Sequence, residues 1–133
     1  MSVVDASIVV RALLRLPIAD AATEYIFDPE QRQVAPDLVN SEVLQALRGL
    51  ERRGAIDASA SAAAVETLML LPIARYPTAM LVHRAWVLRD NFTAYDATYV
   101  ALAEAVGTRL VTADERLAKA VRAHTAVEVA LLA

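Results

Sequence analysis

The sequence predicts a single α/β domain, in which a short central parallel sheet carries helices on both faces. Three observations lead to this prediction. The chain has 133 residues, the size of one ordinary domain. No repeat, low-complexity tract or linker divides it, so the domain spans residues 1–133. Short apolar runs alternate with longer amphipathic segments, an order typical of parallel strands joined by crossover helices.

Five short apolar runs are predicted to be strands because they are too brief for helices and rich in β-branched residues. They lie at residues 2–4, 34–35, 73–75, 109–111 and 127–129. The first run ends directly before Asp5, and the fourth ends three residues before Asp114. In sheets of this kind, ligands bind beyond the carboxyl ends of the strands, where the strand order reverses. A functional site is therefore expected beside these two acids.

Seven segments are predicted to be helices, and several have recognisable ends. They lie at residues 8–14, 19–27, 36–53, 57–70, 77–89, 93–106 and 115–122. Pro36 suits the first turn of the third helix, and Gly54 suits the left-handed position past its end. Pro72 follows the end of the fourth helix. Thr93 opens the sixth helix and Gly107 closes it.

Composition excludes a membrane protein and favours association with another chain. Apolar residues make up 57% of the chain and its mean hydropathy is +0.40. No apolar run approaches the ~18–20 residues that a membrane span needs. A signal peptide begins with basic residues, but the first basic residue here is Arg11, so we expect a cytoplasmic protein. The apolar surplus predicts a homodimer or another protein partner.

Residue types restrict the chemistry further. The chain has no cysteine, which excludes a disulfide framework, thiolate metal sites and a cysteine nucleophile. His83 and His124 lack the spacing of metal ligands. Any metal must therefore be held mainly by oxygen, which favours Mg²⁺ or Mn²⁺ over Zn²⁺. The net charge of −3 is not that of a polycation that coats nucleic acid indiscriminately.

Three of the acids have simple local explanations. Asp5 lies between a strand and a helix, and Asp114 directly precedes a helix, so each is placed to cap a helix N-terminus. Asp96 follows Thr93 by three residues, the spacing of a capping box, where an acid also favours the helix dipole. Taken singly, each of these acids is explained better by its local structure than by a site.

Glu42 is harder to explain locally. Its helix has an apolar face through Val39, Val43, Ala46 and Leu50, and Glu42 lies roughly 60° from the centre of that face. Acids are rarely placed at the border of a core without a partner. Asp96 has the same placement on its own helix.

These two border acids and the two acids at strand ends could converge on a cation. Two carboxylates about 4 Å apart repel by roughly 4 kcal/mol at an effective dielectric of 20, and a divalent ion reverses that repulsion. Mg²⁺ takes only one or two carboxylates and keeps several waters. Four acids therefore indicate either one ion with outer acids or a two-metal site.

The segments that carry these acids resemble the four signature blocks of PIN-domain nucleases. They are residues 5–7 (DAS), 36–48 (PDLVNSEVLQALR), 93–104 (TAYDATYVALAE) and 110–117 (LVTADERL). More narrowly, they resemble the VapC-type toxins of bacterial toxin–antitoxin pairs. The resemblance runs over nearly the whole chain, in order and at the usual spacing. The segments around Asp96 and Asp114 together are its most specific part.

The resemblance implies a function and a set of roles. Asp5, Glu42, Asp96 and Asp114 correspond to the acidic tetrad that binds Mg²⁺ or Mn²⁺ and catalyses the hydrolysis of RNA. It further implies a homodimer and a small antitoxin protein that covers the acidic groove with an Arg or Lys. A further acidic role for Glu115 stays open, and an ordinary first-turn acid is the favoured interpretation.

Ser7 and Thr112 correspond to the small hydroxyl residues beside the first and last acids. They are expected to hydrogen-bond a carboxylate or a metal-bound water.

Two alternatives belong to other classes. An Mg²⁺-dependent phosphatase with Asp5 as nucleophile usually has a second acid two residues on, where this chain has Ser7. A non-catalytic signalling module with an acidic pocket needs a lysine at that pocket. The only lysine, Lys119, falls within a predicted helix.

Overall fold

The computed structural model describes residues 1–14 and 19–132 of the chain. Its strands are β1 (Ser2–Val4), β2 (Gln33–Pro36), β3 (Ile73–Tyr76), β4 (Arg109–Thr112) and β5 (Val129–Leu131). Its helices are α1 (Ala6–Leu14), α2 (Ala19–Phe27), α3 (Leu38–Arg52), α4 (Ala58–Leu68), α5 (Val82–Val87), α6 (Ala94–Val106) and α7 (Glu115–His124), with a 3₁₀ helix (Thr78–Leu81) before α5.

The strands form one sheet in the order β3-β2-β1-β4-β5, and every pairing is parallel. Val3 at the centre pairs with Val34 on one side and Leu110 on the other. All three side chains are fully buried. The predicted parallel sheet is thus confirmed, and the strand order reverses between β1 and β4.

The direction of strand addition places helices on both faces. From β1 the chain moves outward to β2 and β3, then crosses back to β4 on the other side of β1. Because parallel crossovers are nearly always right-handed, connections in opposite directions lie on opposite faces. Accordingly, α1 packs against α2, α3 and α4, whereas α6 packs against α5 and lies on β1, β2 and β4.

Several helix ends follow from local chemistry as predicted. The Thr93 hydroxyl accepts a hydrogen bond from the backbone N–H of Asp96 at 3.1 Å, which caps α6. Gly107 ends α6 with φ +66°, and Gly54 follows α3 with φ +76°. Both are left-handed conformations that glycine adopts without a steric penalty.

The start of α3 differs from its prediction, because Pro36 is the last residue of β2. It pairs with Tyr76, and the next residue, Asp37, donates its N–H to the Tyr76 carbonyl at 2.7 Å. The pairing of β2 with β1 covers only Gln33 and Val34. The missing N–H of Pro36 therefore leaves no gap in the ladder, and α3 begins two residues later.

The single helix predicted over residues 77–89 is also wrong. A 3₁₀ helix comes first, with the Met80 N–H bonded to the Pro77 carbonyl at 3.3 Å. Leu81, the last residue of the 3₁₀ helix, is buried at φ −110° and ψ −5°, and α5 starts after it.

The last strand is shifted by two residues from its predicted position. Helix α7 continues to His124, two residues beyond its predicted end, and Thr125 then accepts a hydrogen bond from the Val127 N–H at 3.1 Å. Val127 therefore belongs to the turn, and Val129 is the residue that pairs with Leu110.

No helix in the described ranges is long and apolar enough to cross a membrane.

Candidate active site

Asp5 lies at the carboxyl end of β1, beside the point where the strand order reverses, and only 6% of it is exposed. Its Oδ1 accepts from the Ser7 hydroxyl at 2.5 Å and from the Ile8 N–H at 3.3 Å. Its Oδ2 accepts from the Thr112 hydroxyl at 2.5 Å. The bond from Ile8 is the predicted helix cap. The hydrogen bonds from the two hydroxyls are not required for a helix cap.

Ser7 and Thr112 also tie Asp5 to the end of β4. Ser7 Oγ accepts from the Ala113 N–H at 2.9 Å, and Thr112 Oγ1 accepts from the Asp114 N–H at 3.0 Å. Each hydroxyl thus receives one hydrogen bond from the β4 loop and donates one to Asp5. The expectation that these residues hydrogen-bond a carboxylate is met, and the carboxylate is Asp5.

Burial raises the pKa of Asp5 from 3.8 to about 6. The bonds from Ser7, Thr112 and Ile8 oppose the rise, while the negative charge of Asp114 adds to it. In the part of the chain that the structure describes, the causes of this shift include three donors but no positive charge beside Asp5.

Asp114 begins α7 and is exposed. Its Oδ1 accepts from the N–H groups of Arg116 and Leu117 at 2.9 and 3.3 Å, so the predicted capping role is present. The same charge raises the pKa of Asp5 and of Asp96. Asp114 therefore caps α7 and also lies close enough to Asp5 and Asp96 to raise the pKa of both.

Asp96 lies half-buried in the first turn of α6. Burial is the main cause of its raised pKa, followed by the charge of Asp114. The Thr93 hydroxyl and the positive charge of Arg116 lower it. Arg116, in the first turn of α7, is a neighbour that the sequence analysis did not identify.

Glu42 lies in the second turn of α3, also half-buried. Burial raises its pKa, the hydroxyl of Tyr99 lowers it, and the charge of Asp96 raises it. Nevertheless, Glu42 Oε1 and the Tyr99 hydroxyl are both buried without a hydrogen-bond partner among the described residues. The Tyr99 hydroxyl therefore lies close enough to Glu42 to shift its pKa, but the pair does not have the geometry of a normal hydrogen bond.

Tyr99 is a site residue that the sequence analysis assigned only to the apolar face of α6. It is 2% exposed, and its pKa is raised by burial and by the charges of Glu42 and Asp5. Its position three residues after Asp96 was the available signal, because residues three apart share one side of a helix.

The four acids form an electrostatic chain in which Asp114 interacts with Asp5 and Asp96, and Asp96 interacts with Glu42. The expected convergence is partial. Among the described residues, no three acids or histidines lie close enough together to hold a metal ion as they stand.

The donor set nevertheless fits a divalent cation. All four candidate ligands are carboxylates, the oxygen chemistry of Mg²⁺ and Mn²⁺. Glu42 contributes a buried oxygen without a donor. Glu115 is exposed on the first turn of α7, in keeping with the favoured interpretation of an ordinary first-turn acid.

Comparison with known proteins shows that this chain resembles one family over most of its length. A family model described as PIN domain matches residues 2–123. A VapC ribonuclease of Mycobacterium bovis is 41% identical over 129 residues, which cover 97% of this chain and 98% of that protein. Ribonuclease VapC1 of Mycobacterium tuberculosis is 40% identical over 119 residues, covering 89% of each chain.

Solved structures share the fold at lower identity. A crystal structure from Pyrobaculum aerophilum has a TM-score of 0.67 and 24% identity, and the match covers 96% of this chain and 86% of that one. The structure of Mycobacterium tuberculosis VapC20, a Sarcin-Ricin loop cleaving toxin, has a TM-score of 0.68 and 18% identity, with coverage of 90% and 95%.

Proposed function

Because this chain belongs to the PIN-domain family, we propose that it is an endoribonuclease of the VapC type that hydrolyses RNA phosphodiester bonds. Asp5, Glu42, Asp96 and Asp114 hold Mg²⁺ or Mn²⁺ in this proposal. One observation supports it most: the charges of these four acids are coupled, beside the position where the strand order reverses. Parallel α/β proteins bind their ligands at that position.

Each residue of the candidate site has a separate role in this proposal. Ser7 and Thr112 fix Asp5 through both carboxylate oxygens, so this ligand is preorganised. Asp114 is held by its cap through Oδ1 alone, which leaves Oδ2 for a cation. Glu42 and Asp96 lie on helices from opposite faces of the sheet and close the site from both sides. A bound divalent ion supplies a water of lowered pKa and stabilises the developing charge on phosphate oxygens.

Neither alternative from the sequence is supported. The position two residues after Asp5 holds Ser7, whose hydroxyl supports Asp5 instead of acting as a second acid. Lys119 is exposed on α7, and the interactions described for the four acids do not include it. An aspartyl phosphatase and a signalling pocket therefore lack their defining residues.

We further propose the role of a toxin whose cognate antitoxin masks the acidic groove. A chain with four clustered acids favours an inhibitor that presents an Arg or Lys, because that cation satisfies the same carboxylates. An enzyme with cellular RNA as substrate is expected to work in the cytoplasm.

A homodimer is proposed through the surface formed by the 3₁₀ helix and α5. Met80, Val82, Trp86 and Val87 are large apolar side chains, each at least 59% exposed, and they lie within eight residues. Such a concentration of exposed apolar groups marks interaction surfaces more often than free surfaces.

The deciding experiment compares two substrates. Purified protein is incubated with a mixed RNA pool and with a phosphomonoester such as p-nitrophenyl phosphate, each with Mn²⁺ and with chelator. We expect Mn²⁺-dependent cleavage of RNA alone. Hydrolysis of the monoester without RNA cleavage would contradict the proposal, and sequencing of the RNA ends would identify the target.

A further inference from the structure

Tyr99 carries a hydroxyl group near two of the candidate ligand acids. Its side chain is 2% exposed, and its helix α6 packs on β1, β2 and β4. Burial raises the pKa of Tyr99, and the charges of Glu42 and Asp5 raise it further, so acids from two separate elements lie near this hydroxyl. An aromatic ring in a close-packed core has little room to move. The hydroxyl is therefore a fixed polar group beside the site.

Neither this hydroxyl nor Glu42 Oε1 has a hydrogen-bond partner among the residues that the structure describes. Buried polar groups in folded proteins nearly always have one, because an unpaired group loses its hydration without replacement. Burial raises the pKa of Glu42 and the Tyr99 hydroxyl lowers it, so the unused donor and the unused acceptor are near each other. This combination indicates a contact that forms when the site is loaded.

Asp96 opposes this contact. Asp96 and Tyr99 are three residues apart and share one side of α6. Besides burial, the charge of Asp96 raises the pKa of Glu42, whereas the Tyr99 hydroxyl lowers it. The same helix thus repels the Glu42 carboxylate and offers it a donor. A divalent cation shared by the two carboxylates turns their repulsion into attraction, and Glu42 can then approach α6.

Glu42 is the member of the pair that can move. It is half-buried, and a glutamate side chain loses more conformational entropy on ordering than most others. Asp5, in contrast, is already held at both carboxylate oxygens by Ser7 and Thr112. A fixed donor at one oxygen of Glu42 reduces the number of orientations that its carboxylate samples, which favours metal binding.

We propose that Tyr99 is a positioning residue: in the metal-loaded protein its hydroxyl donates to one carboxylate oxygen of Glu42 and leaves the other for the cation. Tyr99 acts through Glu42 and touches neither the cation nor the RNA. The inference rests on the proposed function and adds to it the residue that orients the acid on α3.

The test measures Mn²⁺ affinity without RNA, from the electron paramagnetic resonance signal of free Mn²⁺. Tyr99→Phe should raise the dissociation constant about tenfold, because groups that orient metal ligands contribute roughly 10–100-fold to affinity. In chelator the same variant should melt at or above the wild-type temperature, since the hydroxyl that it loses has no partner in the described part of the chain. A purely structural hydroxyl cannot give this combination.

Tyr25→Phe is the matched control for the loss of a tyrosine hydroxyl. The Tyr25 hydroxyl bonds to Ser2 and Arg109, the first residues of β1 and β4, whereas Asp5 follows the opposite end of β1. The Mn²⁺ dissociation constant of this variant should equal that of wild type.

A further variant tests whether Tyr99 acts through Glu42. Glu42→Asp keeps a carboxylate for the metal but is one methylene shorter, which withdraws that carboxylate from the Tyr99 hydroxyl. In this background, Tyr99→Phe should change the Mn²⁺ dissociation constant by less than about twofold, because the two substitutions then remove the same contact.

The outcomes separate this inference from the proposed function. A tenfold loss of affinity that disappears in the Glu42→Asp background supports the positioning role. Equal Mn²⁺ affinity of wild type and Tyr99→Phe overturns that role alone, provided that wild-type protein cuts RNA. Equal losses in both backgrounds, or in Tyr99→Phe and Tyr25→Phe, overturn it too, as does a lower melting temperature of Tyr99→Phe in chelator. Wild-type protein that binds no Mn²⁺ overturns the positioning role, and the proposed function as well if it also fails to cut RNA.

Discussion

The hydroxyl of Tyr99 lowers the pKa of Glu42, yet within the described part of the chain neither this hydroxyl nor the buried Oε1 of Glu42 has a hydrogen-bond partner. A buried polar group without a partner costs about 1–3 kcal/mol. We therefore expect Tyr99→Phe to leave the free energy of unfolding of metal-free protein unchanged or to raise it by up to about that amount. Urea unfolding in chelator measures it.

Tyr25→Phe is the matched control, since the Tyr25 hydroxyl donates to Ser2 Oγ and accepts from Arg109 at 3.1 Å. Its loss should lower stability by about 1 kcal/mol. A greater loss in Tyr99→Phe than in Tyr25→Phe would show that the Tyr99 hydroxyl is bonded in solution.

Asp96→Asn should abolish RNA cleavage without unfolding the protein. The cap of α6 uses the backbone N–H of Asp96, which the substitution keeps. We expect a rate decrease of more than about 100-fold, since even outer partners of metal ligands contribute 10–100-fold. Asp57→Asn, at the cap of α4, should cut as wild type does. Wild-type cleavage by cleanly purified Asp96→Asn would rule out its place in the tetrad.

Asp114→Asn distinguishes a metal ligand from a simple cap. Asparagine caps a helix about as well as aspartate, so α7 should keep its N-terminus. Loss of the charge removes repulsion on Asp5 and Asp96, and metal-free variant should melt at or above the wild-type temperature. Metal at a hundredfold excess over Kd stabilises wild type by about 2.7 kcal/mol, and a hundredfold rise in Kd leaves about 0.4 kcal/mol. Melting curves in chelator and in Mn²⁺ provide the comparison, and equal metal-induced shifts in both proteins would leave Asp114 as a cap only.

Stability without metal should increase as the pH falls from 7 towards 5. The folded pKa of Asp5 is about 6, above the ordinary value of 3.8, so between these values the folded state binds more protons than the unfolded state. The difference between the folded and the ordinary pKa of Asp5 corresponds to about 3 kcal/mol of stability as an upper bound. In Mn²⁺ the trend should reverse below about pH 6, because protons compete with the ion for Asp5. Melting temperatures across this range, in chelator, should be flatter for Asp5→Asn; an equal slope in both proteins would exclude Asp5 as the source.

Trp86→Glu should weaken the dimer. Trp86 is 66% exposed on the proposed dimer surface, and a tryptophan that becomes buried in an interface often contributes about 2 kcal/mol or more, which is roughly 30-fold in the dissociation constant. Sedimentation at several concentrations measures the change. Leu70→Glu is the control, because Leu70 is 82% exposed but lies between α4 and β3. A wild-type protein that is monomeric at high micromolar concentration would contradict the proposed dimer.

Elements with local signals were predictable from the sequence. Thr93 and Gly107 fix both ends of α6 through hydrogen bonds and backbone angles that depend on neighbouring residues only. Pro36 shows the limit of such reasoning. Proline suits both a helix start and a strand end. Pro36 is a strand residue because it pairs with Tyr76, which lies 40 residues away in the chain.

In the candidate site, too, some features could be predicted from the sequence and others depend on contacts between distant residues. Asp5 and Asp114 could be placed at one edge of the sheet, because both follow predicted parallel strands. The partnerless hydroxyl of Tyr99 could not be predicted, since it depends on how α6 packs beside α3 and β1. The partial separation of the four carboxylates likewise depends on side-chain positions that no sequence pattern specifies.

The position of β4 beside the central strand β1 also governs when the candidate site can assemble during synthesis. Thr112, whose hydroxyl donates to Asp5, and Asp114 leave the ribosome more than a hundred residues after Asp5. At about 5–20 residues per second, that interval is roughly 5 to 20 s. Throughout it, the edge of β1 that later pairs with β4 has no strand beside it. A nascent chain therefore cannot bring the four candidate ligand acids together until Asp114 has left the ribosome, more than a hundred residues after Asp5, and any activity that needs all four is delayed by that interval.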